Sequence, residues 1–281
     1  MPSYDTPHAI DLAITLPVGA IEVVASDRTD TVVTVSATNP KKPIDRRGAE
    51  ETRVDFDGTR LTITGPKPRV SWIGPTESVD LRVELPTGSR LTADISLGAV
   101  RTIGRLGATR IKSSLGAVDL DTTSDLSIRA SHGGVTVDTA DGTAEITVDH
   151  GQIRLGSVTG DAHLKASHGS IHVDESGGDL EARLSYGDLE IARALASVLA
   201  KTAYGSIRLR EVSSGSLQIE SGFGEVAVGV RPGVPAWLDL ASKEGHVRNG
   251  LDTDSAPDPS EQSVAVRART QFGDITIQRA R

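Results

Sequence analysis

Residues 167–209 read SHGSIHVDESGGDLEARLSYGDLEIARALASVLAKTAYGSIRL, and this stretch decides the fold. The phrase HGSIHV at 168–173 returns as YGDLEI at 186–191 and as YGSIRL at 204–209, each time after 18 residues. A fixed short period is the signature of an array of stacked repeats. The stretch therefore predicts that one structural unit is repeated along the chain.

The same motif, a glycine followed by apolar residues at the second and fourth positions, extends this period over most of the chain. Apolar residues alternate on both sides of each glycine, which is the period of a β-strand. Turn residues separate the two strands of each repeat. The successive glycines, which we call the rung glycines, lie 18, 17, 18, 18, 18, 18, 19, 21 and 28 residues apart: Gly98, Gly116, Gly133, Gly151, Gly169, Gly187, Gly205, Gly224, Gly245 and Gly273.

Each repeat, or rung, is thus predicted to contain a strand, a turn, a second strand and a corner. Eighteen residues are too few for helical repeats but fit one coil of a β-solenoid, whose equivalent strands pair in parallel about 4.8 Å apart. The glycine indicates a tight bend or a bulge at the corner. An antiparallel sandwich also has short strands with regular turns, but it needs no 18-residue repeat. We therefore expect an all-β protein that resembles a parallel β-helix.

The two ends of the chain depart from the period, as terminal repeats of solenoids do. Residues 1–90 contain alternating segments without the period, interrupted by the polar stretch NPKKPIDRRGAEE at 39–51, and we interpret them as an N-terminal β cap. Residues 91–281 would hold the repeats, with a polar insertion loop around 249–262. We expect one continuous domain, a monomer or a small homo-oligomer, because cap and closing strands should block edge pairing.

The bulk composition narrows the classes of partner and compartment. The formal net charge of −8 argues against nucleic acid or an anionic membrane as the main partner. The chain has no cysteine, which excludes disulfides, thiol catalysis and thiolate metal sites. The first residues lack the pattern of a signal peptide, and no window of about 18 residues is free of charge. We expect a cytoplasmic protein without direct membrane insertion and without a cofactor.

Several segments resemble one known family. The rung motif, the opening LPVGAIEVVASDRTDTVVTV at 16–35, the segment VELPTGSRL at 83–91, and the closing AWLDL, GHVRNGL and VRARTQFGDITI look like the bacterial β-strand-repeat family called toastrack or "putative adhesin". The cytoplasmic actinobacterial branch is the most similar. The resemblance covers nearly the whole chain. It implies a right-handed β-helix-like solenoid, no catalytic residues, and a link to envelope-stress systems with membrane-associated partners.

One column of side chains precedes the rung glycines. Three histidines on successive rungs, His132, His150 and His168, would stack about 4.8 Å apart, and neutral imidazoles can hold zinc, nickel or copper. The alternative is a half-buried corner ladder, because most other members are apolar or aromatic and share the parity of the inward residues. The column reads Leu97, Leu115, His132, His150, His168, Tyr186, Tyr204, Phe223, Glu244 and Phe272.

A second column is mostly basic and points outward. We call its five cations the basic stripe, a candidate docking surface for an acidic protein or a polyanion. Like charges on adjacent strands repel, and the alternative is a solvated face that carboxylates such as Glu145 and Glu181 balance. The five cations are Lys112, Arg129, Lys165, Arg183 and Lys201, and the column also holds Thr147 and Glu220.

Catalysis has little support in the sequence. Adjacent Ser–His pairs, as at Ser167 and His168, do not define a catalytic triad. Asp121, Asp138 and Asp174 each follow the first strand of a rung and could form the carboxylate row of a polysaccharide-cleaving enzyme or a calcium site. The rungs lack the long loops that build a cleft, however, and aspartate is an ordinary turn residue.

Two tryptophans complete the candidates. We expect Trp237 in the core, because it lies in an alternating run, and Trp72 in a proline-rich loop as an exposed anchor for a partner. The favoured function is a non-enzymatic scaffold or protein-interaction module with an unidentified protein partner. A ligand-binding protein, using the histidine row for metal or the basic stripe for a polyanion, is the alternative. A carbohydrate-active enzyme is the third possibility.

Overall fold

The computed structural model describes residues 2–67, 77–251 and 263–280, and they form two compact units, Met1–Thr139 and Ala140–Arg281. Trp72 and most of the predicted loop at 249–262 lie outside the described residues. Both units are built almost entirely from β-strands, most of which pair in parallel. The expected all-β, β-helix-like solenoid is therefore confirmed.

Unit 1 comprises residues 1–139. Its strands are Ser3–Asp5 (β1), Asp11–Ser26 (β2), Asp30–Ala37 (β3), Arg53–Phe56 (β4), Arg60–Thr64 (β5), Val79–Pro86 (β6), Arg90–Ile103 (β7), Thr109–Leu115 (β8), Val118–Thr123 (β9), Leu126–His132 (β10) and Val135–Ala140 (β11).

The long strand β2 organises unit 1. It pairs in parallel with β7 over almost its whole length, and on its other side with β5 and β6. Gly19 of β2 lies beside Gly98 of β7, so the glycine column begins at Gly19. Antiparallel strands then extend the outermost rung, β3 on β6, β1 on β3 and β4 on β5. The expected β cap therefore contains a full rung that the sequence period did not show.

A helix, Pro43–Glu51 (α1), forms where the sequence indicated only a polar interruption. Pro43 suits a first turn, where its missing N–H would have no partner, and Asp45 adds a carboxylate favoured by the helix dipole. Asp45 is buried and accepts hydrogen bonds from the N–H groups of Asn39 and Ser78, both at 3.2 Å. These bonds attach the helix to the start of β6.

Unit 2 comprises residues 140–281. Its strands are Ala144–His150 (β12), Ile153–Val158 (β13), Ala162–His168 (β14), Ile171–Ser176 (β15), Leu180–Tyr186 (β16), Leu189–Ala194 (β17), Val198–Tyr204 (β18), Ile207–Val212 (β19), Gly215–Phe223 (β20), Val226–Val230 (β21), Ala236–Glu244 (β22), Val247–Asn249 (β23), Val264–Phe272 (β24) and Ile275–Arg279 (β25).

Each rung of unit 2 adds one strand to each of two parallel stacks. Equivalent residues lie side by side at the 18-residue offset, as Ile153, Ile171, Leu189 and Ile207 do. These inward residues are buried and form the core between the stacks. The order of the last rungs is not sequential, because β24 lies between β20 and β22, and β25 lies between β21 and β23.

The rung glycines are required by close packing of the backbone. Gly187 has φ +141°, a conformation that side chains rarely adopt, and a Cβ there would lie 2.0 Å from the carbonyl oxygen of Gly169. Its N–H donates to the carbonyl of Tyr204 in the next rung at 2.8 Å. The repeated glycine is thus the position at which neighbouring corners touch.

Candidate interaction surface

Six aromatic side chains form one continuous row along unit 2, which we call the ring ladder. Their strands pair in register, so each ring lies directly beside the ring of the neighbouring rung. The members in spatial order are His150, His168, Tyr186, Tyr204, Phe223 and Phe272.

The rings of the ladder stack face to face. The centroids of Tyr186 and Tyr204 are 4.9 Å apart with planes inclined by 2°, and Tyr204 and Phe223 repeat this geometry at 4.9 Å and 3°. The pair of Phe223 and Phe272 is equally parallel at 4.7 Å. Such contacts cover the ring faces and leave the ring edges at the surface. The ladder therefore stabilises the stack of rungs and presents a row of edges.

The ladder is half-buried as expected, but it does not follow the parity of the core. Tyr186, Tyr204, Phe223 and Phe272 are between 42% and 49% exposed, although alternation along their strands would place them with the inward residues. The strand parity is interrupted at the corner, where the positive φ of the rung glycine turns the chain. The residue before the glycine consequently points outward.

Sequence order also placed Glu244 between Phe223 and Phe272 in this column. In the structure Phe272 lies beside Phe223, and Glu244 lies beyond Phe272 at the end of the column. The inserted position of β24 makes the row of six rings continuous.

The histidines are divided between the units. His132 lies in unit 1 in register with Leu115, while His150 and His168 stack in unit 2 at 4.7 Å and 14°. Two tetrahedral zinc ligands need nitrogens about 3.4 Å apart, so stacked rings would have to leave their contact to share one ion. Within residues 2–67, 77–251 and 263–280, no group of three or more His, Cys, Asp or Glu is placed to hold a metal. Metal binding at the histidine row stays a prediction.

The basic stripe is largely balanced by carboxylates. In unit 2, Arg183 Nε lies 2.5 Å from Glu181 and Lys201 Nζ lies 2.9 Å from Glu220, and the Lys201 contact lowers the pKa of Glu220. In unit 1, Lys112 lies beside Arg129 in register and 3.9 Å from Asp94. Lys165 lies beside Arg183. The predicted docking role of the stripe is untested, and these ion pairs reduce its field.

The aspartates suspected of catalysis have local partners. In unit 1, Asp121 accepts the Gly104 N–H at 2.8 Å and so holds the turn. In unit 2, Asp174 lies 2.8 Å from Nε2 of His172, which is on the same strand. Asp138 is an exposed residue of β11. Of the three aspartates, a turn-holding contact therefore accounts for Asp121.

Carboxylates that the sequence analysis missed flank the ring ladder. Asp188, Glu225 and Asp274 directly follow rung glycines. Asp188 accepts the Ser206 N–H at 2.7 Å, and Asp274 accepts the His246 N–H at 2.8 Å. The His246 hydrogen bond, with the nearby Arg248 charge, lowers the pKa of Asp274. One side of the ladder therefore carries the carboxylates of Asp188 and Glu225, while Arg248 at 3.5 Å offsets the charge of Asp274. The position after each glycine could have indicated these residues.

Trp237 is the clearest error among the predicted core residues. It is 62% exposed, because the inward residues of β22 are its neighbours Leu238 and Leu240. The predicted alternation of inward and outward residues along β22 was correct, but Trp237 lies on the outward face and not on the predicted inward face.

These features define a repeat β-solenoid that presents long, regular columns of side chains at its surface. The chain belongs to the Toastrack DUF4097 family, whose model matches residues 11–278. This confirms the resemblance seen in the sequence, while the narrower placement in an actinobacterial branch stays a prediction.

Two solved structures are similar to this chain over nearly its whole length, at low sequence identity. A "putative cell adhesion protein" from Clostridium sporogenes is 12% identical, with coverage of 99% of this chain and 98% of that one and a TM-score of 0.21. A "putative adhesin" from Bacteroides fragilis is 12% identical over 98% and 95% of the two chains, with a TM-score of 0.37. No curated protein matches. In the part of the chain that the structure describes, no helix has the length and apolarity to cross a membrane.

Proposed function

We propose that this protein is a non-enzymatic interaction module and that a protein partner docks on the ring ladder. The observation that carries the proposal is the continuous row of exposed aromatic edges, from His150 to Phe272. The sequence-based expectations of a cytoplasmic location and of a link to envelope stress are part of this proposal.

The exposed area of the ladder supports docking. Stacking alone uses the ring faces, and it leaves almost half of each large ring in water. With about 200 Å² per aromatic side chain, the four Tyr and Phe rings expose roughly 350–400 Å². Apolar patches of a few hundred Å² on soluble proteins are often functional.

The geometry also restricts the chemistry of the partner. Stacking of sugars or bases needs an open ring face, and the faces inside the ladder are covered by neighbouring rings only 4.7–5.1 Å away. Edge contacts favour apolar side chains instead. Because Asp188 and Glu225 flank the rings, the partner should combine a row of apolar side chains with basic groups beside it.

Affinity capture from the native lysate with matched variants tests the proposal. We expect Tyr186→Ser with Tyr204→Ser to lose the partner, and Tyr186→Phe with Tyr204→Phe to keep it because the stack is retained. The triple reversal Lys165→Glu, Arg183→Glu and Lys201→Glu should also keep the partner. Thermal unfolding of each variant verifies folding, since removing the two rings costs about 1–3 kcal/mol of stability.

The opposite pattern would contradict the ladder. A partner lost only in the charge reversal would assign docking to the basic stripe. A partner that all variants capture would place the interface elsewhere on the protein. Failure of the wild type to capture any protein reproducibly would remove the interaction module as the leading function.

A further inference from the structure

The last strand of unit 2 in space, β22, has an open edge. Among the described residues it pairs on one side only, with β24. It is nine residues long, Ala236–Glu244, and contains no proline. Open edges of this length invite pairing with another strand.

Burial falls sharply at this edge. The inward residues Val266 and Ala268 of β24 are buried, whereas the equivalent Leu238 and Leu240 of β22 are only half-buried. On the neighbouring strand β23, Val247 is 45% exposed. The final rung therefore presents core residues that a further layer would cover.

We propose that a second copy of this chain covers this edge, and that the two β22 strands pair antiparallel across a two-fold axis. In an antiparallel pair, the inward residues of both strands share one face only if each inward residue lies opposite an inward residue of the other strand. Full overlap of a nine-residue strand with its copy then places Leu240 on the axis. This interface is independent of the ring ladder.

The side chains of β22 match in this register. Leu240 lies opposite the partner's Leu240, and Leu238 lies opposite the partner's Ser242. On the outer face, Trp237 lies opposite the partner's Lys243, a pairing suited to a cation–π contact. Ala236 lies opposite the partner's Glu244, so no two like charges are directly paired.

A neighbouring register is less favourable. Centring the axis on Asp239 would place two aspartates opposite each other, which is destabilising. In the full-overlap register Asp239 lies opposite the partner's Ala241, and its charge is already offset by Arg269 at 2.6 Å and Arg267 at 3.1 Å. A register centred on Ala241 would place Asp239 opposite the partner's Lys243, but it would shorten the overlap from nine residues to seven. The longer overlap therefore selects the proposed pairing.

The dimer should have low affinity, and its assembly should stop at two copies. A nine-residue edge is about 30 Å long and two stacks are about 10 Å apart, so the interface buries on the order of 1,000 Å² in total. This is at the lower limit for specific interfaces, so we expect association in the micromolar range. A two-fold interface uses the same edge of both copies and cannot grow into a fibre.

A single introduced cysteine tests the register directly, since the chain has none of its own. In antiparallel pairs, opposite Cα atoms are about 4.5 or 5.5 Å apart, within the span of a disulfide. Leu240→Cys should therefore crosslink to its copy when oxidised glutathione accepts the electrons. Leu238→Cys is the matched control, because the two introduced residues would be about 13 Å apart.

We expect the full-length Leu240→Cys variant to form covalent dimer at least tenfold faster than Leu238→Cys. Equal rates, or faster dimer formation by the control, would overturn the proposed register. Sedimentation velocity of the wild type should show a reversible monomer–dimer equilibrium that Trp237→Ser and Ala241→Asp each weaken about tenfold. A wild type that stays monomeric up to millimolar concentration would overturn the dimer itself.

Two further outcomes identify other occupants of the edge. If the wild type is monomeric and replacement of residues 252–262 by a short Gly-Ser linker produces dimers, that segment of the same chain covers β22, and the proposal is wrong. Open-ended growth with concentration would show a head-to-tail interface and would also overturn the two-fold arrangement.

Discussion

The outermost rungs of the two units differ in how they end. In unit 1, β5 and β6 carry additional antiparallel strands, α1 packs beside them, and their inward residues Leu61, Ile63 and Val83 are fully buried. In unit 2, the outermost rung of β22 and β23 has no further strand among the described residues, and Trp237 is 62% exposed.

The comparison shows that the repeat sequence alone does not cover the outermost rung of a β-solenoid. Both outermost rungs follow the same strand chemistry, and in both units a strand from elsewhere in the sequence is inserted next to them, β2 in unit 1 and β24 in unit 2. Among the residues that the structure describes, short antiparallel strands of three and four residues, β1 and β4, replace a long edge in unit 1 and not in unit 2. Edge protection is a property of these added elements.

The largest difference between the two units should come from glycine substitutions. Gly19→Ala places a Cβ 1.7 Å from the Val79 carbonyl oxygen at φ +142°, and β2 is held between β6 and β7. We expect a loss of more than about 4 kcal/mol in the free energy of unfolding, or failure to fold. Urea denaturation measures the loss.

Gly245→Ala is the matched substitution in the outermost rung of unit 2. Its Cβ would lie 2.1 Å from the Gly273 carbonyl oxygen, but β22 and β23 can shift outward. We expect a loss of only about 1–2 kcal/mol, measured below the concentration at which dimers form. Equal losses for the two substitutions would show that the outermost rung of unit 2 is as firmly held as β2.

A smaller difference is expected for core leucines of the two outermost rungs. Leu81→Ala in β6 removes a buried side chain and should cost about 3–4 kcal/mol. Leu240→Ala in β22 removes a half-buried one and should cost about 1 kcal/mol at low protein concentration. Urea unfolding compares them. A Leu240→Ala loss as large as that of Leu81→Ala would mean that β22 is covered in the monomer.

Much of the fold could be predicted from the sequence because one contact repeats. The corner glycines and alternating apolar residues specify the same packing in each rung, and the column before the glycine was recognised as a row of neighbours. The columns of the ring ladder and basic stripe are in register as expected.

The remaining features depend on contacts that a period does not encode. Gly19 has the complete motif in VGAIEV, but 79 residues separate it from Gly98, so the spacing concealed its place in the column. The spatial order of β22 and β24 could not be predicted from the sequence, because the pattern of either strand fits beside β20. The outward direction of the ring ladder follows from the backbone turn at each glycine, and simple alternation predicts the reverse.

The smallest predicted effect is the pH dependence of the stability that Asp239 contributes. Hydrogen bonds from Arg269, with those from Arg267, lower the pKa of Asp239 and tie β22 to β24. Because the folded-state pKa is depressed, this stabilisation is present above the unfolded-state value near 4 and is lost as pH falls through the folded value. Asp239→Asn should therefore lower the melting temperature slightly at pH 7 and make no difference near pH 2.

Glu84→Gln in unit 1 is the control for this pH dependence. Hydrogen bonds from Arg82 and then Arg28 likewise lower the pKa of Glu84, so its effect should have the same sign and the same acid window. In the monomer, the two strands should differ in mobility once the carboxylate is neutral. Among the described residues no antiparallel strand pairs with β22, whereas β3 pairs with β6. Hydrogen exchange of β22 amides should therefore rise in Asp239→Asn, while that of β6 stays low in Glu84→Gln. Equal protection of both strands would show that ion pairs contribute no more at the open edge than at the covered one.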